Sequence, residues 1–178
     1  MPGIGRIFQL GVLLLGATGA SFAPSIAQTQ GTPKLAVSNA SYRDLLKGVL
    51  LETNTRRAEH GLPPLRMNAT LSRAAQWMAE DMAHKNYFSH TDSQGRTIGT
   101  RLPAFGYNNY EIIRENLAGG QYDPKEVVDA WMKSPGHRAS ILCDTSTEIG
   151  LGYYYYPNSK YKIYWVQEFG KPMAGGQK

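Results

Sequence analysis

Hydrophobic residues recur at intervals of three and four positions in two segments of the first half of the chain. The first segment, residues 39–61, ends at a glycine with two prolines close behind it, and the second follows Asn68, which suits a helix N-cap. This spacing places the hydrophobic residues of each segment on one side of a helix. They are Tyr42, Leu45, Leu46, Val49 and Leu50 in the first segment and Leu71, Ala75, Met78, Ala79 and Met82 in the second. The pattern predicts two long amphipathic helices.

The start signals of "YDPKEVVDAWMKS" predict a third long helix. Asp123 suits the N-cap, Pro124 takes the first helical position and Glu126 stands where a capping box needs it. Trp131 falls on the inner face of this helix, so we expect it in the core. The Ser-Pro-Gly sequence that follows is expected to end the helix, which would leave His137 in a loop.

The last third of the chain carries the pattern of strands. The segments "TEIGLGYYYY" and "KYKIYWVQEF" flank the turn "PNSK" and predict an antiparallel hairpin. One face of its first strand carries Ile149, Leu151, Tyr153 and Tyr155. Upstream, "YEIIRENLAGG" predicts another strand that ends in a glycine turn, and "IGTRLPAFGY" a short helix. These elements predict an α+β domain in which helices pack on an antiparallel sheet.

The first residues have the layout of a cleaved secretory signal. Arg6 precedes an apolar run over residues 7–20, and Ser25, Ile26 and Ala27 form a small-x-small site, so we expect cleavage after Ala27. The run is short and contains glycines, which disfavours a retained membrane anchor. The lead-in lacks a lipobox cysteine, which speaks against a lipoprotein. We therefore expect a secreted or periplasmic protein with no transmembrane segment once the signal is removed.

The domain limits follow from these patterns. We predict a signal peptide over residues 1–27, a flexible lead-in over 28–38, one domain over 39–172 and a tail over 173–178. The formal net charge is +5, and removal of the signal takes away one positive charge. The basic residues are scattered through the chain, so a nucleic-acid partner is not expected. Cys143 is the only cysteine, which excludes an intrachain disulfide and favours a buried thiol. We expect a monomer.

Three residues are candidates for a site. His90 and His137 are each expected just after a helix, and Glu115 lies near the end of a predicted strand. Two imidazoles and one carboxylate could hold zinc with a fourth position open. The chain has no HExxH pattern, however, so the residues alone favour three unrelated loop positions. Nucleophilic schemes are weaker, because nothing fixes Cys143 against His137 and the chain lacks GxSxG.

Seven segments, in order, resemble the CAP superfamily of cysteine-rich secretory, antigen 5 and pathogenesis-related 1 proteins, also called the SCP domain, in its compact bacterial branch. They are "LLETNTRRAEHGLPPLRMNATLSRAAQWMAEDMA", "YFSHTD", "RLPAFGY", "ENLAGG", "VVDAWMKSPGHRASIL", "IGLGYY" and "YWVQEFG". The resemblance implies an α-β-α sandwich with a three-stranded antiparallel sheet. It also implies a cleft that often carries two histidines and two glutamates. By motif position His90 and His137 are the histidines, Glu115 is the first glutamate, and Ser134 stands in the place of the second.

Three functions follow from the resemblance. The first is a non-enzymatic extracellular module that binds a lipid, a cell-wall component or a protein, with a cleft that could hold zinc. The second is a zinc-dependent, protease-like hydrolase in which His90 and His137 hold the metal and Glu115 is a ligand or the general base. The third is structural, with these residues hydrogen-bonding one another to brace their loops. The missing second glutamate weakens both zinc binding and catalysis, so we rank the binding module first.

Overall fold

The computed structural model describes residues 42–174 of the chain. The predicted signal peptide and lead-in, and the last four residues of the predicted tail, lie outside this part. The helices are α1 (Tyr42–Ala58), α2 (Ala69–Lys85), α3 (Ile98–Ala104), α4 (Pro124–Lys133) and α5 (Pro135–Ile141). The strands are β1 (Arg66–Met67), β2 (Tyr110–Gly119), β3 (Glu148–Tyr155) and β4 (Ile163–Pro172). The three long helices, the short helix and the three long strands predicted from sequence are confirmed.

The strands form one sheet in the order β1-β3-β4-β2. Strand β4 pairs antiparallel with β3 on one side and with β2 on the other. The expected three-stranded sheet is wrong by one strand, because β1 adds a parallel pair in which Arg66 lies opposite Glu148 and Met67 opposite Ile149. A strand of two residues cannot show alternation, so the sequence pattern could not reveal it. Strand β2 is an outer strand of the sheet.

Helices cover both faces of the sheet, so the predicted α-β-α sandwich is confirmed. On one face, α1 and α4 pack with Ile149, Leu151 and Tyr153 of β3, and Trp131 lies in this core. On the other face, α2 packs so closely that a Cβ at Gly150 or Gly152 would overlap with its backbone. These two glycines therefore set the distance between α2 and the sheet.

Local side-chain hydrogen bonds fix the starts of the helices. Asn68 Oδ1 accepts from the amides of Thr70 (2.8 Å) and Leu71 (3.0 Å), as predicted for the N-cap of α2. At α4, Asp123 Oδ1 accepts from the amide of Glu126 (2.8 Å), which is also as predicted. Within residues 42–174, no helix is long and apolar enough to cross a membrane.

One expectation at the end of α4 is wrong. The Ser-Pro-Gly sequence does end α4, but Pro135 at once begins α5, and His137 lies in the first turn of this helix rather than in a loop. Proline is compatible with the first turn of a helix, since the amide it lacks would have no partner there. A proline after a helix can therefore start the next helix as well as end the previous one.

Candidate functional site

The carboxylate of Glu115 is the centre of the candidate site. Its Oε1 accepts a hydrogen bond from Nδ1 of His90 at 2.8 Å, and its Oε2 accepts from Nη2 of Arg101 on α3. The side chain of Glu115 is 2% exposed, whereas that of His90 is 62% exposed. Both oxygens of the carboxylate are therefore engaged by donors, and the imidazole is the part of this pair that solvent reaches.

Arg101 is a fully buried guanidinium among three carboxyl groups. Besides the contact with Glu115, its Nη2 lies 3.4 Å from Oε1 of Glu168, and its Nη1 lies 4.0 Å from Oδ2 of Asp92. A charge buried this deeply is stable only when it is paired. The cluster of Asp92, Arg101, Glu115 and Glu168 thus forms the floor beneath His90, and we call it the Arg101 cluster.

Glu168 has the most strongly perturbed titration in the Arg101 cluster. It lies directly opposite Glu115 across the β2–β4 ladder, on the same face of the sheet. Burial and the negative charge of Glu115 raise the pKa of Glu168 well above its ordinary value, against the opposing effect of Arg101. Like charges directly opposite on neighbouring strands are destabilising, and a proton on Glu168 relieves this repulsion.

Two aspartates fix the loop that carries His90. Asp81 on α2 accepts from Tyr87, and also from the amide (2.9 Å) and the hydroxyl (2.6 Å) of Ser93. Asp92 Oδ1 accepts from the amides of Gln94 and Arg96, at 2.9 and 2.8 Å. The segment before and after His90 is thereby held to α2 and closed on itself.

His137 reaches the site from the opposite side of the sheet. Its backbone carbonyl accepts from Nδ2 of Asn116 (3.0 Å), which also donates to Gln167 (3.1 Å), and Gln167 donates in turn to Thr53 of α1 (2.9 Å). This series of hydrogen bonds connects α5 to β2, β4 and α1. Because Asn116 follows Glu115 in an extended strand, the two side chains lie on opposite faces. His90 and the backbone of His137 therefore approach β2 from opposite faces of the sheet.

The environments of His90 and His137 shift the pKa values of the two imidazoles in opposite directions. The hydrogen bond to Glu115 raises the pKa of His90 above its ordinary value of 6.5. Burial lowers the pKa of His137, and the charge of His90 lowers it further. At a pH close to 6.5 the site therefore pairs a protonated imidazole with a neutral one.

The structure thus brings His90, Glu115 and His137 into one neighbourhood, and places Ser134 half-exposed at the junction of α4 and α5. Arg101 and Glu168 were not predicted from the sequence. The sequence does contain a signal for Glu168, because Gln167 and Glu168 are consecutive polar residues after an apolar run in the last strand. Consecutive side chains point to opposite faces of a sheet, so a strand covered on both faces buries Gln167 and Glu168 alike. No comparable signal marked Arg101 in its short helix.

The two remaining histidines and the cysteine lie outside this neighbourhood. His60 is exposed and bonds through Nδ1 to the carbonyl of Arg56 (2.8 Å), and His84 is exposed and bonds to the hydroxyl of Tyr154 (3.0 Å). Cys143 is a buried free thiol, as expected from its neighbours. None of the three contributes to the Glu115 site.

Comparison with known proteins agrees with this geometry. The family model described as "Cysteine-rich secretory protein family", or CAP, matches residues 50–169. The chain belongs to this family. The match extends from α1 to β4 and includes every residue of the Arg101 cluster and both histidines of the site. The resemblance noted in the sequence is thus confirmed.

Two curated relatives of this CAP chain come from Bacillus subtilis (strain 168). The uncharacterised protein YkwD is 42% identical over 137 residues, which cover 75% of this chain and 51% of YkwD. The uncharacterised membrane protein YlbC is 33% identical over 106 residues, which cover 60% of this chain and 30% of YlbC. The chain therefore spans about half the length of YkwD and less of YlbC.

Two solved structures with the same fold are of bacterial proteins described as extracellular or as outer-surface proteins. An extracellular SCP-domain protein of Bacillus anthracis str. Ames has a TM-score of 0.62 and 28% identity, over 70% of this chain and 39% of that one. An outer surface protein of Borrelia burgdorferi has a TM-score of 0.64 and 26% identity, over 73% and 94% of the two chains. These neighbours support the bacterial branch of the family.

Proposed function

We propose that this chain is a secreted CAP-domain binding module whose cleft, formed by His90, Glu115 and His137, holds a ligand without catalysing a reaction on it. The engagement of both Glu115 oxygens carries the proposal, since one accepts from His90 and the other from Arg101. A general base must lie within hydrogen-bond reach of the proton that it removes, and the side chain of Glu115 is only 2% exposed. Arg101 stays charged in a protein, so it holds Glu115 as a counter-ion instead.

The residues of the cleft do not fit a resident catalytic zinc. Such sites normally use three protein ligands and one open position, and here only Nε2 of His90 and the ring of His137 are free to coordinate. Among residues 42–174, no group of three His, Cys, Asp or Glu side chains is arranged to hold a metal. Ser134 supplies no carboxylate at the place of the second family glutamate. We therefore derive no hydrolytic step through zinc.

What the cleft offers instead is a pair of imidazoles in different states of charge. Protonated His90 donates through Nε2, while neutral His137 both donates and accepts. Such a pair suits a polar group of a ligand, and the candidates remain a lipid, a cell-wall component or a protein. Secretion is supported by the signal-like first 27 residues and by the extracellular and outer-surface neighbours.

Calorimetric titration of zinc into the untagged protein tests this proposal, with a His90→Ala/His137→Ala variant as the control. We expect no saturable one-to-one binding in the micromolar range, because two imidazoles alone are a weak zinc site. One-to-one binding that the double variant loses would contradict the misfit between the cleft and zinc and would favour the hydrolase. His60→Ala removes an exposed histidine outside the cleft and is the matched variant for non-specific metal binding.

A further inference from the structure

The outer edge of β2 leaves backbone groups without partners beside the cleft. The amide of Gly120 donates to Ile163 of β4, and the carbonyl of Leu117 accepts from Nε1 of Trp131 on the other side (3.0 Å). Backbone groups in an antiparallel strand alternate in direction. From Ile112 onwards, beyond the register shift near Tyr110, even-numbered residues of β2 therefore pair with β4, and Ile113 and Glu115 point their backbone N–H and C=O groups away from the sheet.

None of these four groups has a hydrogen-bond partner within residues 42–174. Strand β2 pairs only with β4, and no turn, loop or side chain of this part of the chain bonds the outward groups of Ile113 or Glu115. Native proteins rarely bury unpaired backbone groups, so these groups face solvent. The end of the strand is different, because Trp131 already takes the carbonyl of Leu117.

We infer that the cleft binds an extended polypeptide, which adds to the sheet as a further strand along Ile113 and Glu115. A row of alternating backbone donors and acceptors is matched by another extended backbone, whereas a lipid chain cannot satisfy it. The bound segment would pass between His90 on one side and His137 on the other. This inference rests on the proposed function, and it names the class of ligand for the same cleft.

Charges along β2 disfavour antiparallel pairing with a second copy of this strand. An antiparallel pairing of Ile113 with Ile113 would place Glu111 opposite Glu115. Pairing Ile113 with Glu115 would place Arg114 opposite Arg114, and pairing Glu115 with itself would place two carboxylates together. Like charges directly opposite one another destabilise a sheet. The occupant is therefore a polypeptide of different sequence, and edge pairing between copies is disfavoured.

The test uses the full mature protein and a blocked peptide of about seven residues that alternates valine and threonine, with a lysine at each end. Hydrogen exchange by NMR should show fast exchange at the amides of Ile113 and Glu115 in the free protein and slow exchange with the peptide bound. A matched peptide, N-methylated on the amides of one edge, should bind at least about tenfold more weakly, since each net hydrogen bond is worth about two- to tenfold.

Two protein variants separate backbone pairing from side-chain contacts. Ile113→Pro removes an outward N–H but no bond to β4, and proline is tolerated at such a position of an edge strand. Ile113→Pro should lower the affinity for the unmethylated peptide by at least about twofold, while Ile113→Val should leave it unchanged. Should Ile113→Pro fail to fold, the N-methylated peptide tests the opposite bonds, in which peptide N–H groups donate to the outward carbonyls of β2, on the unaltered protein.

Several outcomes would overturn the inference. They are no protection of Ile113 and Glu115 at millimolar peptide, equal binding of the methylated and unmethylated peptides, and dimerisation of the free protein that Ile113→Pro abolishes. Mass spectrometry of the bound peptide keeps the two proposals distinguishable. Cleavage of the peptide would refute a non-enzymatic cleft while leaving strand addition intact, and absence of binding would refute strand addition alone.

Discussion

Replacing Glu168 with glutamine tests the ionisation that we assign to the Arg101 cluster. Glu168 is fully buried, and burial and the charge of Glu115 raise its pKa well above the ordinary 4.5. Glutamine has the shape of a protonated glutamic acid, and its amide oxygen can keep the 3.4 Å contact with Arg101. We therefore expect Glu168→Gln to change the free energy of unfolding by less than about 1 kcal/mol at pH 4.5.

The difference in free energy of unfolding between Glu168→Gln and the wild type should then grow with pH. In the unfolded chain Glu168 loses its proton near pH 4.5, whereas the folded protein keeps that proton to a higher pH. The folded state binds more protons in this interval, so the wild-type free energy of unfolding falls by about 1.4 kcal/mol per pH unit from this residue. Glutamine does not titrate. The free energy of unfolding of the variant should therefore rise relative to that of the wild type by this amount per pH unit. The rise stops at the pKa of Glu168 in the folded protein, and the difference is constant above it.

Urea unfolding at about pH 4.5, 5.5 and 6.5, followed by the fluorescence of the buried Trp131 and Trp165, measures this difference. Glu111→Gln makes the same change at an exposed residue of β2, where it also removes an ion pair with Lys171 (2.7 Å), and should alter stability at neutral pH by no more than about 1 kcal/mol. A difference between Glu168→Gln and the wild type that does not vary with pH would refute the reasoning. So would a loss of more than about 2 kcal/mol in Glu168→Gln at neutral pH, since it would show that Arg101 needs a charged Glu168.

Three further predictions concern the site and the sheet. Arg101→Met should cost about 3–5 kcal/mol in urea unfolding, because it leaves buried carboxyl groups without their cation; a loss below about 1 kcal/mol would contradict this. In an NMR titration of the imidazoles, His90 should titrate above pH 6.5 and His137 below it, and the reverse order would contradict the assigned contacts. Gly152→Ala should lower stability by at least about 2 kcal/mol through overlap with α2, whereas Gly136→Ala, whose Cβ meets open space, should not.

Features of the fold that depend on neighbouring residues were predictable from the sequence. The caps at Asn68 and Asp123 are made by hydrogen bonds within three residues, so the local pattern contains the whole interaction. The face of β3 that carries Ile149 and Leu151 follows from strict alternation. Such elements need no knowledge of the rest of the fold.

Features that depend on distant residues were not predictable. Arg101 meets Glu115 and Glu168 only after α3, β2 and β4 have assembled, and nothing in "IGTRLPAFGY" marks the arginine as buried. The unpaired backbone N–H and C=O groups of Ile113 were not predictable either, because only the order of strands in the sheet decides which strand lies at an edge. Motif resemblance located His90, Glu115 and His137, and the contacts that define their roles required the structure.

The measurement that tests the central claim most directly is peptide cleavage by the purified, zinc-supplemented protein. New amino termini released from a mixed peptide library would be counted by mass spectrometry for the wild type and for His137→Ala. A non-catalytic cleft, in which Arg101 and His90 engage both oxygens of Glu115, predicts equal counts at the background level. Cleavage by the wild type that both His137→Ala and Glu115→Gln abolish would contradict the account and establish the hydrolase.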